Sequence, residues 1–374
     1  MKICLYGYGI ATRGSGARQY ALDLGRWLVK QGSEVTIVTG QWGDRSAISE
    51  GLKYEFLVFN ESPLKRRAQI LFALKSVLYF RTHRRDFDLV HSLSSFPQFA
   101  RLASWVKRTS GLPVVHSLLG PCEHRSFFDF LDGVTCVSKG IQEKVQMPHA
   151  IYIPPFIDLE RFRSSSRYDW GHPDEVSVGT MGAPFRRKGV RYLVEAIPLV
   201  LRQYPKTHFY LAVDLPGIQF MEETRKEKEY IDWFVREHQL QKNVDILGDV
   251  EVPKFLKSVD LFVYAVQTTV GMIDIPPSIL EGLAAGCAIV TSQKDGIGEL
   301  VRDHHNGLFV NQGEHDRPQA YAEKMIELLQ NRPLLKTIRE NGPPSVERFA
   351  LDRVGQQMVL FYQEVLEHRR MRNG

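Results

Sequence analysis

Short apolar runs alternate with amphipathic stretches along almost the whole chain. Ile3 to Tyr6 is apolar and brief, which predicts a buried strand. A glycine turn with Gly14, Ser15 and Gly16 follows it. Tyr20, Leu24, Trp27 and Leu28 then recur at helical spacing, and Gly32 stops the pattern before the next apolar run, Glu34 to Val38. That is a β-α-β unit, so its strands are expected to be parallel and joined by a right-handed crossover. Further strands are expected at Asp88 to His91, Pro113 to Leu118, Gly133 to Val137 and Ile151 to Pro154, separated by helical stretches. A series of such units predicts a doubly wound α/β domain.

The pattern then breaks. Asp158 to Asp174, with SSSRYDWGHPD at its centre, is polar and rich in turn formers and reads as a linker. Beyond it the alternation restarts. Strands are expected at Val176 to Met181, His208 to Val213, Val244 to Leu247 and Leu261 to Ala265. Helices are expected at Val190 to Tyr204 and Glu222 to His238, and IPPSILEGLAAGCAIVTS reads as helix then strand. The tail forms a last amphipathic helix, with Val354, Met358, Phe361, Tyr362 and Val365 on one face. No fixed-period repeat is visible. The expected division is 1–165, 166–345 and a C-terminal helix, 346–374, returning to the first domain.

Length supports that division, because 374 residues exceed the usual single-core size more than twofold. Apolar residues make up 43% and charged residues 24%, an ordinary globular balance. A net charge of +5 does not by itself imply a nucleic-acid partner, and none is expected. The four cysteines, Cys4, Cys122, Cys136 and Cys287, form no C-x-x-C pair and read as reduced core thiols. The N-terminal MKICLYGYGI lacks the long apolar stretch of a signal peptide, and no run reaches the roughly 20 apolar residues of a membrane span. The expectation is a cytoplasmic protein, soluble or held at a membrane surface.

Eight segments in order carry a resemblance. They are RGSGARQYALDL, DLVHS, PVVHSLLGP, VTCVSKGIQEKV, IYIPPFIDLERF, RRKGVRYLVEAI, VDILGDV and PPSILEGLAAGCAIVTSQKDGIGELV. Together they resemble the retaining nucleotide-sugar glycosyltransferases of the fourth sequence family, over almost the whole chain. The resemblance implies the GT-B fold, two Rossmann-like domains facing each other across a cleft. It also implies sugar transfer from a nucleotide-diphosphate donor with retention of configuration, to a glycan or lipid-linked acceptor. No cofactor and no obligatory metal are implied, and no Asp-x-Asp cluster points to one.

A nucleotide-sugar donor releases a diphosphate whose negative charge grows as the glycosidic bond breaks, so the site must offer cations or N–H groups. Arg186, Arg187 and Lys188 before Gly189 are expected to open a helix and hold that diphosphate. In a chain without such a ligand the same run would be a solvated basic turn. The family usually has an arginine where Ala183 stands, which leaves Arg186 or Arg187 to compensate. Pro276 and Pro277 suit a helix start, and Glu281, about one turn in, matches the glutamate that holds the donor ribose in the family. Gly248 and Glu299 are further donor-side positions. Gly14, Ser15 and Gly16 would let backbone approach the donor phosphate or the acceptor.

Two positions depart from the family. Its first glutamate, near the transferred sugar, falls on Ile273, which leaves Asp274 as the nearby acid. Its histidine before Gly-Pro falls on Leu119, which leaves His116 as a candidate sugar contact, or as an ordinary core histidine. A catalytically degenerate relative that binds or regulates therefore stays open as a second reading. Finally, residues 63–85 hold seven Lys or Arg and no acid, around an apolar centre from Ile70 to Phe80. This fits a helix lying on an anionic membrane surface, or equally a buried crossover helix with a solvated basic end.

Overall fold

The computed structural model describes all residues except 11–15, 43–50, 61–65, 173, 214–221, 295, 312 and 374. The chain divides into two compact units. One joins Met1–Ile157, Val270–Asp274 and Phe349–Gly374; the other joins Asp158–Thr269 and Ile275–Arg348.

The first unit runs β1 (Lys2–Tyr8), α1 (Gly16–Lys30), β2 (Glu34–Trp42), β3 (Lys53–Asn60), α2 (Arg66–Thr82), β4 (Leu89–Ser94), α3 (Pro97–Ser110), β5 (Val114–Leu118), β6 (Gly133–Cys136), α4 (Lys139–Val145) and β7 (Ala150–Tyr152). Its seven parallel strands lie in the order β3-β2-β1-β4-β5-β6-β7. β4 and β5 are buried at every residue. That burial fits a parallel sheet covered on both faces, although a His-Ser pair interrupts the apolar run in each strand. β3 was not expected from the sequence: it is a half-buried edge strand, so its apolar signal is diluted. The helix Leu351–Asn373 belongs to this unit, and its Val354, Met358, Phe361, Tyr362 and Val365 are buried there. Trp27 Nε1 donates to Asp352 at 2.6 Å, and Phe361 lies so close to Gly133 that a Cβ there would sit 2.5 Å from its ring.

The second unit runs α5 (Leu159–Arg163), β8 (Val176–Met181), α6 (Val190–Gln203), β9 (Thr207–Ala212), α7 (Glu222–Glu237), β10 (Val244–Leu247), α8 (Val252–Ser258), β11 (Leu261–Tyr264), α9 (Pro277–Ala285), β12 (Ala288–Ser292), β13 (Gly307–Val310), α10 (Pro318–Gln330) and α11 (Arg332–Ser345). Its six strands are parallel, in the order β10-β9-β8-β11-β12-β13. The core is built from β8, β9 and β11 packed against α6 and α10, with Ile197, Val200, Phe209, Val263 and Met325 buried.

The segment read as a linker is no free tether. Tyr168 N–H donates to Ser258 Oγ at 2.6 Å, and the Trp170 ring stacks on Tyr210 with centroids 4.2 Å apart. Its two aromatics override its polar composition, because together they offer enough apolar area to dock.

Candidate donor-binding site

Both sheets reverse their order once. In the second unit the chain winds outward from β8 to β9 and β10, then returns to start β11 on the other side of β8. Loops leaving the C-terminal ends of β8 and β11 therefore diverge and open a crevice, which is where doubly wound sheets bind ligands. The loop after β8 holds Gly182, Arg186, Arg187 and Lys188; the loop after β11 begins at Ala265.

The cations do not open a helix, as the sequence pattern implied. Arg186–Lys188 form a separate single 3-10 turn, and α6 starts only at Val190. The break is Gly189, whose φ of 69° lies in the left-handed region. A Cβ at Gly189 would come within 1.8 Å of the Ala265 carbonyl oxygen, so the turn is pressed against the loop after β11. Gln267 N–H donates to the Arg187 carbonyl at 2.8 Å and ties the two loops together.

Lys188 folds back toward the end of β8, and a Cβ on Gly182 would lie 3.0 Å from its Nζ. Burial, and then the neighbouring Arg187 charge, lower its pKa from 10.5 to about 8. The Arg187 guanidinium lies over the Phe185 ring at 4.1 Å, and its buried Nε lacks a hydrogen-bond partner. Among the described residues no carboxylate forms an ion pair with either side chain. Two adjacent, partly dehydrated cations without an acid between them are the arrangement that an anion would stabilise. Arg186 is exposed, and its N–H donates to Glu223 at 3.0 Å.

Across the switch point, α9 begins after Pro276, with Pro277 and Ser278 in its first turn and half-buried Glu281 one turn in. Burial raises the pKa of Tyr264, at the end of β11, against smaller lowering effects from Ser278 and Arg187. Glu299 lies half-buried in a 3-10 turn, Ile297–Glu299, after β12, and Arg348 donates to its carbonyl. Gly248, exposed after β10, faces open space at its Cα. All these positions follow C-terminal ends of strands. Gly182 and Ala265 were missed in the sequence, because what matters there is close approach between loops far apart in the chain.

The candidates in the first unit lie elsewhere. Gly16 is the first residue of α1, and Gly14 and Ser15 fall outside the described residues. His116 is fully buried in the middle of β5. Its Nδ1 lies 3.0 Å from Ser92 Oγ, its Nε2 has no hydrogen-bond partner among the described residues, and burial lowers its pKa to about 3. Asp274 is 1% exposed. It accepts from Ser138 Oγ at 2.6 Å, and its N–H donates to the Leu119 carbonyl at 2.8 Å. Leu119 and Ile273, at the two departures from the family pattern, are core residues of this unit.

Comparison with known proteins places this geometry. The family model described as Glycosyltransferase Family 4 matches residues 14–161, and the one described as Glycosyl transferases group 1 matches 172–331. The chain is 25% identical over 338 residues to a phosphatidylinositol N-acetylglucosaminyltransferase component of Arabidopsis thaliana, covering 84% of this chain and 72% of that one. It is 25% identical over 311 residues to a phosphatidyl-myo-inositol mannosyltransferase of Mycobacterium tuberculosis, covering 76% and 78%. Anabaena HepE, solved with UDP-glucose, superposes with a TM-score of 0.77 at 16% identity, over 97% of this chain and 100% of that one, and so shows the shared fold. With two models of the family matching successive segments that together span most of the chain, and the GT-B pair of parallel sheets beneath them, the protein belongs to the family-4, group-1 glycosyltransferases, which move a sugar from a nucleotide-sugar donor to an acceptor.

Proposed function

We propose that the second unit holds the donor through its diphosphate, on Lys188 and Arg187, and through its ribose, on Glu281. The unpaired pair of cations at the β8–β11 switch point carries this reading. It meets the main demand of the reaction, which is to stabilise the charge growing on the leaving diphosphate. Here protein cations supply the neutralisation that a divalent metal supplies in other transferases. Arg187 stands in for the arginine that the family has at Ala183.

The reaction retains configuration. The acceptor hydroxyl oxygen forms its bond to the anomeric carbon on the face from which the diphosphate oxygen leaves, and that oxygen takes the hydroxyl proton. No protein nucleophile is needed, in keeping with the binding of the Asp274 carboxylate to buried Ser138. Orientation and charge stabilisation are the protein's contributions.

The acceptor is lipid-linked and reached at a membrane surface. Two of the relatives act on phosphatidylinositol lipids by name, and α2 has the face such an acceptor requires. Its Phe72, Ser76 and Phe80 are buried, while Ile70, Leu71, Leu74 and Leu78 are 53%, 44%, 65% and 63% exposed. Exposed Arg67, Lys75, Arg81, Arg84 and Arg85 lie on or just beyond the same helix. One stripe of α2 is thus core and the other is open and basic. Among the described residues no helix is long and apolar enough to cross a membrane, so any attachment through α2 is from the surface.

The donor site is tested by calorimetry with UDP. Lys188→Ala and Glu281→Ala should each weaken binding by about 1.5–3 kcal/mol, the worth of a charge-assisted hydrogen bond. Unchanged affinity in both folded variants would refute the site.

A further inference from the structure

A second cluster lies at the opposite, N-terminal end of the same sheet. His172 and Glu175 come from the segment before β8, and His208 is the second residue of β9, in register with Ser177. Asp245 is the second residue of β10. The ligating atoms of His172, Glu175 and His208 all lie within 4.8 Å of one another. Glu175 Oε2 is 3.2 Å from His208 Nδ1 and 3.8 Å from His172 Nδ1. The two imidazoles stack, with centroids 4.4 Å apart.

We propose that His172, Glu175 and His208 bind a divalent transition metal, zinc being the fitting ion. Ligands about 2.0–2.2 Å from a tetrahedral zinc stand roughly 3.3 Å from each other, and Glu175 Oε2 lies 3.2 and 3.8 Å from the two imidazole nitrogens. Two imidazoles and one carboxylate favour zinc over magnesium or calcium, which prefer oxygen ligands throughout.

His208 gives the strongest reason. Its ring is 4% exposed and lies between two carboxylates, with Nε2 3.0 Å from Asp245 Oδ2. Glu175 Oε2 is shared between Nδ1 of His208 and Nδ1 of His172, and a metal, unlike a single proton, can use all three donors. Asp245 then acts as a positioning residue that fixes the ring tautomer, as carboxylates behind metal-bound histidines do.

The metal would be structural. Glu175 immediately precedes β8, and the donor cations follow its other end, six residues or roughly 20 Å away at about 3.3 Å per residue. Bound there, the ion would clamp the segment carrying Tyr168, Trp170 and His172 onto the sheet, extending the ring stack Trp170–Tyr210–His208–His172.

The test uses the full chain, free of any histidine tag and dialysed against a chelator, then titrated calorimetrically with Zn2+ and, in parallel, with Co2+ followed by absorption. One equivalent of zinc should bind and raise the melting temperature, and cobalt should show tetrahedral ligand-field bands. His172→Ala, at a half-exposed position that leaves the core intact, and Glu175→Gln should each cut zinc affinity at least tenfold, and Asp245→Asn about tenfold or more. UDP affinity should stay unchanged in all three. Failure of the wild type to bind an equivalent of zinc, or binding that survives both His172→Ala and Glu175→Gln, would overturn the proposal and leave a proton between His208 and Glu175. Because the readout is metal affinity, this result is independent of whether the donor site is placed correctly.

Discussion

The two units share one plan, a parallel sheet that reverses order once, yet they treat polar groups in opposite ways. Apart from Asp274, the first buries a neutral hydrogen-bonded network. His91 lies 2.6 Å from Tyr362 Oη and 2.7 Å from Ser117 Oγ, which lies 2.6 Å from Thr135 Oγ1, and all four residues are in the core. The second buries Glu227 in an ion pair with Arg191, and places Lys188 and Arg187, without a salt-bridge partner among the described residues, beside its switch point. A buried neutral network fixes the packing of strands and C-terminal helix. Dehydrated cations left without counter-ions instead favour a ligand that supplies the negative charge. Because the two sheets share their topology, it is the placement of charge that leads us to assign the donor to the second unit.

The strongest disturbance of this contrast should come from Gly189. Gly189→Ala must relieve a 1.8 Å approach to a carbonyl oxygen and hold an alanine at positive φ. It should destabilise the second unit by about 3 kcal/mol or more and abolish UDP binding. A chemical denaturation series measures this, and a melt like that of the wild type would mean that the loops after β8 and β11 are not locked together.

The neutral interior of the first unit should show itself in acid. Burial lowers both His91 and His116 to about 3, with the His116 charge a further cause for His91. Unfolded histidine titrates near 6.5, so below that pH the unfolded chain binds protons that the folded unit refuses. Stability should be intact above about pH 6.5 and fall on acidification toward pH 3, by up to about 3 kcal/mol per pH unit for two groups. His116→Phe should flatten the slope in pH-dependent denaturation by roughly half. An unaltered slope would exclude His116 as one of the two groups.

The smallest effect per residue is expected at α2. Each exposed cation there should contribute about 1 kcal/mol to anionic vesicle binding, weakened by salt. Replacing Arg67, Lys75, Arg84 and Arg85 with glutamine should abolish vesicle co-sedimentation and leave UDP affinity unchanged. A wild type that ignores anionic vesicles at low salt would remove the membrane from this account.

Much of the fold was legible in the sequence because buried parallel strands and amphipathic helices have local signatures. The apolar run Ile3–Tyr6 and the spacing of Val354, Met358, Phe361 and Val365 are of this kind. Features set by distant contacts were not legible. Val270–Asp274 belongs to the first unit through a hydrogen bond from Asp274 to Leu119, across 155 residues of chain. Lys188 could be named from RRKG, but its approach to Gly182 and the pressure of Gly189 on Ala265 arise only when β8 and β11 pair. His172, Glu175, His208 and Asp245 share no motif spacing and meet through strand register alone. The helix expected at Arg186 failed for a local reason: Gly189 in the left-handed region ends one turn before the next begins.

The donor site makes one further demand, set by the lowered pKa of Lys188. A diphosphate beside Lys188 must draw its pKa back up from about 8, so above that pH the complex binds a proton that the free protein has released. Calorimetry of UDP binding at pH 8.5, in two buffers of different ionisation enthalpy, counts that proton. The wild type should take up a fraction of a proton per UDP, with affinity falling as pH rises through 8, and Lys188→Ala should lose both effects. Binding without proton uptake in the wild type, or the same uptake in Lys188→Ala, would contradict the assignment of this turn as the diphosphate site.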